Sequence, residues 1–508
     1  GQISLPGGMI EKGENPINAA LRETNEEIGV QIKRVQIIGK LSSIYIPISN
    51  FKVQPFVGFL NKKPKDWDIT TNATPEEIQE VFPDSFYENK FGTVGVKTED
   101  EDETMQIVEI TPYRLESEYS DHRHPDTVSF SKNIKDDLSR RDFTINAMAL
   151  SKGQIVDLYK GQEDLEAKII RTVGDPKKRF AEDALRIMRA VRFSAELGFI
   201  IENETSKAIY ESSDLLAKVS RERIRDEFVK ILMSDNPMIG IVMLQKLGLL
   251  KHVSPALEGM VGVSQETQAH IYDVFEHSLR ALQHSADKGH RLELRLAVLF
   301  HDVAKPHTKR MVGQKATFYG HEVVGAKVTR ETLNDLKFSR ETVENVTRLV
   351  RWHMFFADPD KITLSAVRRM VARVGEKGIW DLVELRKCDR IGTGRPTEEP
   401  YRFRKYQSMI EESLRAPISV GMLKVDGVKL MELGVEKGPR IGAILHSLLE
   451  EVLDDPERNT EDYLVTRVTE LNKLSEAELK ELYKKGKDRL EEEDDKVIKD
   501  LRKKHRVN

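Results

Sequence analysis

The sequence has a single cysteine, no long hydrophobic run and almost no excess of either charge. One cysteine, Cys388, in 508 residues excludes a framework of internal disulfides and is typical of a reducing compartment. No apolar stretch approaches the roughly 18 residues that a membrane helix needs. No signal segment opens the chain, so we expect a cytoplasmic protein with no membrane partner. Lysine and arginine total 80 against 84 aspartates and glutamates, so affinity for nucleic acid must come from local basic patches.

The length and the first residue also set expectations. A chain of 508 residues predicts three or four domains of roughly 100 to 200 residues each. The first residue is Gly1 rather than methionine and lies directly before a motif, which predicts that the natural N-terminus is absent.

An acidic motif occupies the first thirty residues. Asn15-Pro16 predicts a helix start and Gly29 a helix stop, which places three carboxylates at i, i+3 and i+4 on one helix face. Such carboxylates can hold Mg²⁺ for attack of water on a diphosphate, although a solvated acidic helix is the alternative. The three carboxylates are Glu23, Glu26 and Glu27.

The spacing of this motif resembles the Nudix box, through Gly8, Glu14, Arg22 and the residues just named. Residues 44–60 resemble the strand region that follows the box, and the resemblance then stops. We therefore predict a partial Nudix segment with weak or no hydrolase activity, because a sheet without its other strands leaves exposed edges.

At Lys62 the sequence changes character. Asp66 and Asp68 alternate with Trp67 on a predicted strand, so both carboxylates face the same side. They can hold two Mg²⁺ ions for in-line nucleotidyl transfer. The run Thr74-Pro75-Glu76-Glu77 predicts a helix with a capping box directly after the strand.

This segment resembles the catalytic start of the CCA-adding tRNA nucleotidyltransferase and poly(A) polymerase family, and the resemblance covers about four hundred residues. It implies that Glu109 is a third catalytic carboxylate. It also implies that SRRDFTINAMAL contacts ribose and triphosphate, and that the Asp and Arg of a Glu-Asp-x-x-Arg element on the helix after Phe180 read the incoming base. A carboxylate accepts from the exocyclic amine of cytosine or adenine, so CTP and ATP are favoured. A surface ion pair is the alternative for the second element. The implied nucleotide-binding residues are Arg140, Arg141, Asp142, Asn146, Glu182, Asp183, Arg186 and Arg189.

One departure from the family pattern bears on activity. The family has a glycine pair followed by Val-Arg-Asp before the Asp-x-Asp strand, whereas this chain has PFVGFLNKKPKDWD. Since amides and charge at a transferring phosphoryl group are each worth several kcal/mol, we expect severe loss of nucleotidyl transfer.

Five later segments resemble the HD-domain signature. They offer four candidate metal ligands, His277, His301, Asp302 and Asp389, and His321 and His353 for a second metal position. Apolar neighbours predict a buried helix around His301-Asp302, where adjacent His and Asp would be costly without a metal. The metal is Mg²⁺ or a divalent transition metal, and it would activate water against phosphate esters. For any one of these histidines, a structural core role is the alternative.

The remaining basic residues are candidates for RNA binding. Arg221, Arg223 and Arg225 begin one predicted helix, Arg192 extends another, and Lys437 precedes a helix start in a region that resembles the end of bacterial family members. Ordinary solvated charges and helix packing are the alternatives.

These observations predict a multi-domain fold with an α+β nucleotidyltransferase head, mostly α-helical RNA-binding and HD domains, and a partial α/β Nudix segment. The predicted function is CCA addition to tRNA from CTP and ATP. A defective fusion that binds tRNA or acts only as an HD phosphatase, and a poly(A) polymerase relative, stay open, and the oligomeric state is not predicted. The predicted domains are Nudix 1–61, head 62–172, helical nucleotide- and RNA-binding 173–262, HD 263–395, C-terminal tRNA-binding 396–471 and a charged tail 472–508.

Overall fold

The protein is represented by a computed structural model, in which the chain forms two compact units. One comprises Gly1–Leu115 with Ser129–Asp136, and the other comprises Glu116–Val128 with Asp137–Asn508. The structure describes residues 18–19, 22, 35–40, 44–46, 51–53, 56–60, 69–87, 92–98, 106–116, 128–151, 154–265, 271–313, 315–355, 362–395 and 397–484.

Short strands dominate the N-terminal part of the described chain. Four of them form a mixed sheet in the order β5-β8-β7-β6, and the others pair two by two. The strands are β1 (Val35–Lys40), β2 (Ile44–Ile46), β3 (Phe51–Val53), β4 (Phe56–Leu60), β5 (Ile69–Thr71), β6 (Ser85–Tyr87), β7 (Val94–Lys97), β8 (Ile107–Pro112), β9 (Arg114–Glu116), β10 (Val128–Phe130), β11 (Met148–Ser151), β12 (Gln154–Asp157), β13 (Ile169–Ile170), β14 (Ile200–Ile201), β15 (Arg310–Val312) and β16 (Lys315–Thr317).

Helices make up most of the chain after residue 160. Short 3-10 helices occur at Thr144–Asn146, Ser213–Lys218, His353–Phe355, Val420–Met422 and Pro456–Arg458. The α-helices are α1 (Pro75–Val81), α2 (Ile134–Ser139), α3 (Gly161–Ala167), α4 (Pro176–Glu182), α5 (Leu185–Leu197), α6 (Asn203–Glu211), α7 (Arg221–Met233), α8 (Pro237–Lys246), α9 (Leu250–Val253), α10 (Pro255–Glu258), α11 (Val274–Asp287), α12 (Leu292–Phe300), α13 (Lys305–Thr308), α14 (His321–Asp335), α15 (Arg340–Trp352), α16 (Leu364–Gly392), α17 (Tyr401–Leu414), α18 (Gly427–Glu432), α19 (Pro439–Asp454), α20 (Glu461–Leu471) and α21 (Glu476–Lys484).

The first unit contains the predicted helix start at Thr74. The Thr74 hydroxyl accepts from Glu77 N at 3.3 Å, and Thr74 N donates to a Glu77 carboxylate oxygen at 2.7 Å. This reciprocal pair satisfies two amides that the first turn of α1 leaves open, so the predicted capping box is confirmed. Buried apolar residues pack α1 against β7 and β8, chiefly Ile78, Val94 and Ile110.

The second unit is built on a continuous helical core. One cluster of buried apolar side chains extends from Phe143 to Ile410, and a separate cluster lies between Leu423 and Leu479. Helix α16 is kinked at Gly375, whose φ of +78° is not helical. Glycine adopts such a positive φ readily because it has no Cβ. The two halves of α16 therefore point in different directions, and both contribute buried residues to the larger core.

Several helices of this unit begin at side-chain caps, among them three that carry or precede predicted HD ligands. Asp273 caps α11, Ser339 caps α15 and Thr363 caps α16, each by accepting a hydrogen bond from an amide of the first turn. Such a cap is worth about 1 kcal/mol and fixes where a helix starts. The caps thus set the register of α11 and α16, which carry His277 and Asp389, and of α15, after which His353 follows.

Candidate functional site

In the first unit, the residue that follows Asp68 lies opposite the residue that follows Glu109 on a neighbouring strand. Asp66 and Asp68 lie outside the described residues. Strand β5 starts at Ile69, the residue after Asp68, and pairs in parallel with β8, with Ile69 opposite Ile110. Glu109 precedes Ile110 on β8, lies opposite Gly95 of β7 and is exposed. Glu109 is therefore placed on the strand beside the one that the Asp-x-Asp run leads into.

In the second unit, the SRRDFTINAMAL run is held by ion pairs. Arg140 donates through Nε and Nη2 to Asp137 Oδ1, at 2.9 and 2.7 Å. Asp142 accepts from its neighbour Phe143 N at 2.8 Å and pairs with Arg189 Nε at 2.7 Å. Asn146 ends the 3-10 helix and is half-buried. The pair with Arg189 connects this run to helix α5.

The Glu-Asp-x-x-Arg element spans a break between two helices, so its predicted placement on a single helix is wrong. Glu182 ends α4, Asp183 has an extended backbone with φ −136° and ψ 105°, and Arg186 lies in the first turn of α5. Asp183 Oδ1 accepts from Leu185 N at 3.0 Å. Carboxylates with this local bonding pattern favour helix starts over helix interiors, which explains the break.

Arg186 joins the two motifs. Its Nη1 pairs with a Glu182 carboxylate oxygen at 2.6 Å and also bonds Arg179 O at 3.2 Å, while Nη2 donates to Arg140 O at 3.0 Å. Arg186 is 9% exposed. The i, i+4 ion pair considered as the alternative is therefore present, but it is partly buried and part of a network that includes the Arg140 backbone.

The basic residues of α7 also have partners within the protein. Arg223 Nη2 pairs with Asp183 Oδ2 at 2.8 Å. Arg221 donates to the carbonyls of His252 and Val253 at 2.6 and 3.0 Å and pairs with Asp335 at 2.6 Å. The structure therefore gives Arg221 and Arg223, two of the predicted RNA-binding residues, intramolecular roles.

The last predicted RNA contact lies near the C-terminal cluster. Lys437 is exposed and is two residues from Pro439, where the 16-residue helix α19 begins. No side chain caps this helix. The position agrees with the predicted helix start.

The six predicted HD ligands come together from five parts of the chain. His277 lies on α11, His301 and Asp302 directly follow α12, His321 starts α14, His353 follows α15 and Asp389 is on α16. Helix α12 ends at Phe300, so the predicted helix around His301-Asp302 is a turn there instead. All six residues are buried, between 0% and 7% exposed. They form two groups within which the candidate ligand atoms lie no more than 4.8 Å apart.

Asp302 belongs to one of these groups, with His321 and His353, and also faces the other. Its Oδ2 is 3.3 Å from His277 Nε2 and 3.1 Å from His301 Nε2, which form the other group together with Asp389. Its Oδ1 is 3.3 Å from His321 Nε2 and 3.9 Å from His353 Nε2. One carboxylate thus faces two pairs of imidazoles with different oxygens.

Backbone carbonyls fix the orientation of three imidazoles. The Nδ1–H groups of His301, His321 and His353 donate to the carbonyls of Val298, Phe318 and Val350, each at 2.7 Å. A carbonyl can only accept, so Nδ1 carries a proton and Nε2 is the nitrogen that faces the cluster. This is the arrangement in which histidine binds a metal.

The charges of the cluster also suit a cation. Burial raises the pKa of the Asp302 carboxyl, but His301, Lys305 and His277 outweigh that effect and hold it well below its usual range. Burial lowers the pKa of His277, yet hydrogen bonds to Asp302 and Asp389 raise it to about 9. Burial and the neighbouring imidazoles keep the pKa of His353 well below its usual value. A metal entering the cluster would displace the proton that His277 holds.

Two cations next to the cluster were missed in the sequence analysis. Lys305 Nζ is 2.6 Å from Asp302 Oδ2 and also donates to Gln265 Oε1 at 2.8 Å. Arg386 Nη1 donates to Asp389 Oδ2. The only sequence signal is their spacing, since each is three residues from a carboxylate ligand and so reaches it within about one helical turn.

Two further expectations meet the structure only in part. Glu23, Glu26 and Glu27 lie outside the described residues, although Arg22 is helical. Among the residues that the structure describes, no helix is long and apolar enough to cross a membrane.

Four protein families match segments of the chain. Residues 58–171 match the poly A polymerase head domain, 198–260 the probable RNA- and SrmB-binding site of polymerase A, and 274–386 the HD domain. Residues 1–88 match the NUDIX domain. The Nudix and head matches overlap over residues 58–88.

Curated relatives carry the name CCA-adding enzyme. The protein of Lactobacillus helveticus is 53% identical over 174 residues, which cover 34% of this chain and 42% of the relative. That of Bacillus velezensis is 44% identical over 203 residues, which cover 40% of this chain and 50% of the relative. The chain spans about half the length of the curated relatives it matches.

Solved structures resemble the fold over a larger part of the chain. The Bacillus stearothermophilus CCA-adding enzyme in complex with CTP has a TM-score of 0.57 at 26% identity, covering 80% of this chain and 88% of that one. A CCA-adding enzyme solved with ATP has a TM-score of 0.53 at 20% identity, covering 82% and 87%, and supports the fold alone. The predicted fold class is confirmed. Together, the three domain matches and these relatives bear out the predicted resemblance: from about residue 58 the chain is similar to the CCA-adding enzymes.

Proposed function

We propose that this chain extends the 3' end of tRNA with CMP and AMP, using CTP and ATP. The proposal takes its substrates from relatives named CCA-adding enzyme and from a similar structure solved with CTP. The observation that carries it is the contact between two motifs whose bonded residues are 46 and 47 positions apart in the sequence. Asp142 pairs with Arg189, and Arg186 bonds Arg140 O, so one network joins the proposed triphosphate and base-reading residues.

The network gives the proposed nucleotide site a defined shape. Arg186 is held by three acceptors and Asp142 by two donors, so neither has to be ordered when a nucleotide binds. Prior ordering of this kind lowers the entropy cost of binding. The Arg189 guanidinium also lies 5.3 Å from the centre of the Phe193 ring, which limits its movement further.

Base selection rests on Asp183 in this proposal. Its Oδ2 pairs with Arg223 and its Oδ1 accepts from Leu185 N, so the carboxylate is fixed, and each oxygen can still accept another hydrogen bond. The exocyclic amines of cytosine and adenine supply such a donor, whereas uracil and guanine present an oxygen at that position. With Arg186 donating to a ring acceptor, the pair favours CTP and ATP.

The metal site of the transfer reaction is assigned to three carboxylates, Asp66, Asp68 and Glu109. Glu109 is exposed on β8, and carboxylate oxygens are the donors that Mg²⁺ prefers. Mg²⁺ bound there would favour attack by the RNA 3'-hydroxyl and neutralise the leaving diphosphate. In this proposal, Arg140 and Arg189 position the triphosphate.

Contact with tRNA is assigned first to Lys437. It is exposed beside the uncapped start of α19, where free amides and a cation together suit a phosphate. Arg221 and Arg223 act on RNA indirectly in this proposal, because their guanidinium groups hold carbonyls and Asp183 within the protein.

The test is incorporation of labelled CMP and AMP into a tRNA that lacks its terminal CCA. We expect incorporation at a reduced rate, because the family's glycine pair and Val-Arg-Asp are missing before Asp66. The variant Asp66→Ala should abolish this incorporation. Long tails from ATP alone would indicate a poly(A) polymerase relative. Absence of incorporation with retained tRNA binding would favour the defective fusion.

A second function is supported by the HD cluster. We propose that His277, His301 and Asp389 hold one divalent metal and that His321 and His353 hold another, with Asp302 shared between them. The donor set fits, because the imidazole Nε2 atoms and the carboxylate oxygens converge in a buried cluster. Nitrogen and oxygen donors together suit Mn, Fe, Co, Ni, Zn or Mg. Bound metals would activate water for hydrolysis of a phosphate ester, while Lys305 and Arg386 supply positive charge for an anionic substrate.

The two proposed activities can be separated by single variants. Hydrolysis of a phosphomonoester or a cyclic phosphodiester should be lost in His301→Ala and retained in Asp66→Ala. Nucleotide incorporation should follow the opposite pattern. Loss of both activities in His301→Ala would indicate unfolding, which a melting curve of the same sample would reveal.

We also retain the predicted domain boundaries, a cytoplasmic location and weak or absent Nudix activity as proposals. A diphosphate hydrolysis assay of the full chain against Glu26→Gln tests the last of these. Turnover that depends on Glu26 would contradict it.

A further inference from the structure

The two carboxylates of the HD cluster are used differently. Asp302 faces imidazoles with both oxygens. Asp389 faces them only with Oδ1, which is 3.2 Å from His277 Nε2 and 3.7 Å from His301 Nε2. Its other oxygen, Oδ2, accepts a hydrogen bond from Arg386 Nη1. Asp389 is therefore divided between the imidazoles and a guanidinium.

We propose that Arg386 is a positioning residue, which holds Asp389 so that it binds the metal through Oδ1 alone. This inference rests on the proposed metal centre. A guanidinium bound to the second oxygen turns that oxygen away from the metal and disfavours chelation through both oxygens. The coordination position that the second oxygen would fill is then left for water or substrate, and an open position is what separates catalytic from structural metal sites.

The geometry suits this role. Arg386 is three residues before Asp389 on α16, so the two side chains lie on the same helix face. The Asp389 side chain is 10% exposed, whereas that of Arg386 is 34% exposed. The guanidinium thus covers the outer oxygen of Asp389 and keeps contact with solvent, which lowers the cost of placing its charge next to a buried cluster.

The surroundings of Asp389 add to the constraint. Helix α16 packs closely on α11 at Gly392, where an added Cβ would lie 2.7 Å from His277 O and 3.1 Å from His277 Nδ1. Because the backbone of α16 is fixed against the helix that carries His277, rotation of the Asp389 carboxylate is the main freedom that remains at this ligand. Arg386 restricts that freedom.

The experiment compares Arg386→Ala, Arg386→Lys and a matched control, Arg369→Ala. Arg369 lies on the same helix, pairs with Glu450 at 3.0 Å and Asp454 at 2.5 Å, and is similarly exposed at 29%. Co²⁺ binding to the full chain is measured by titration calorimetry and by the visible absorption of the bound ion. Melting curves of the metal-free variants report folding.

We expect Arg386→Ala to weaken Co²⁺ binding about 10- to 100-fold, the usual effect of removing a partner of a metal ligand. Its Co²⁺ spectrum should change as Asp389 alters its coordination. Arg386→Lys should recover most of the affinity, since it keeps a charged donor to Oδ2, and Arg369→Ala should match the wild type in both measurements.

The inference is overturned if Arg386→Ala binds Co²⁺ as tightly as wild type or more tightly, with an unchanged spectrum. If Arg386→Ala is unfolded, Arg386→Lys decides: a wild-type spectrum supports positioning by a charged donor, and loss of binding in a folded protein contradicts it. A wild-type chain that binds no Co²⁺ would instead refute the metal centre itself.

Discussion

Replacing Asp302 by asparagine should remove both metal positions of the HD cluster at once. Asp302 Oδ2 faces His277 and His301, and Oδ1 faces His321 and His353, so one substitution alters both groups. Asparagine keeps the shape but not the charge. Since loss of a mere partner of a ligand costs about 10- to 100-fold in metal affinity, loss of a shared charged ligand should cost at least about 100-fold at each position.

The same substitution should also destabilise the metal-free protein. Lys305 Nζ lies 2.6 Å from Asp302 Oδ2 in a side chain that is 9% exposed, and asparagine leaves that ammonium without a counter-charge. Leaving one member of a buried ion pair uncompensated costs about 3 to 5 kcal/mol. With a chelator present, the melting temperature of Asp302→Asn should therefore be lower than that of the wild type.

Equilibrium dialysis against Mn²⁺ with elemental analysis provides the assay, and His321→Ala is the control. We expect two ions per chain in the wild type, one in His321→Ala and almost none in Asp302→Asn. If Asp302→Asn still binds two ions, or if its loss equals that of His321→Ala, the shared carboxylate is wrong and the two groups are independent sites.

Three other predictions concern selection, stability and pH. Asp183→Asn replaces an acceptor with a donor at the proposed base edge, so discrimination against UTP should fall about tenfold or more in single-nucleotide incorporation kinetics, and unchanged discrimination would contradict the assignment. Glu227→Gln breaks the ion pair between Glu227 and Arg192, whose side chains are 5% and 9% exposed. It should lower the free energy of unfolding by about 3 to 5 kcal/mol. An effect below about 1 kcal/mol in calorimetry would show that the pair does not stabilise the fold. His290, 3.6 Å away, and Lys387 lower the pKa of Glu384 to about 2. This carboxylate therefore stabilises the fold above its unfolded pKa of about 4.5 and loses that contribution as pH falls towards 2. Glu384→Gln should flatten the dependence of melting temperature on pH in that window, and curves parallel to those of the wild type would refute the assignment.

The residues of the HD cluster were predictable because burial of polar and charged side chains costs free energy unless they have partners. Histidine and aspartate next to each other in an apolar run, as at His301 and Asp302, need partners, and the other segments supplied residues of the right type. Lys305 and Arg386 were not predictable in the same way. A basic residue three positions from an acid is common on any helix surface, and only the distances and burial distinguish these two from such pairs.

The nucleotide-binding motifs show the opposite limit. Their residues lie in one network of hydrogen bonds, but the helix that was expected to carry Glu182, Asp183 and Arg186 is interrupted. Spacing at i and i+4 is the same whether the helix continues or restarts. The bond from Leu185 N to Asp183 decides the outcome, and a sequence does not reveal which of its competing backbone bonds an aspartate will form.

The continuous core of the second unit determines how the two proposed sites must be separated by mutation. One apolar cluster extends from Phe143, beside the nucleotide motifs, to Ile410, beyond the HD ligands. A cavity in that cluster would be felt at both sites, because close-packed interiors transmit strain. Variants of core residues therefore cannot assign an activity to either site. Substitutions of Asp183 and of Asp302 can, since the partners of each side chain belong to its own network, and only effects confined to one activity bear on the proposal for that site.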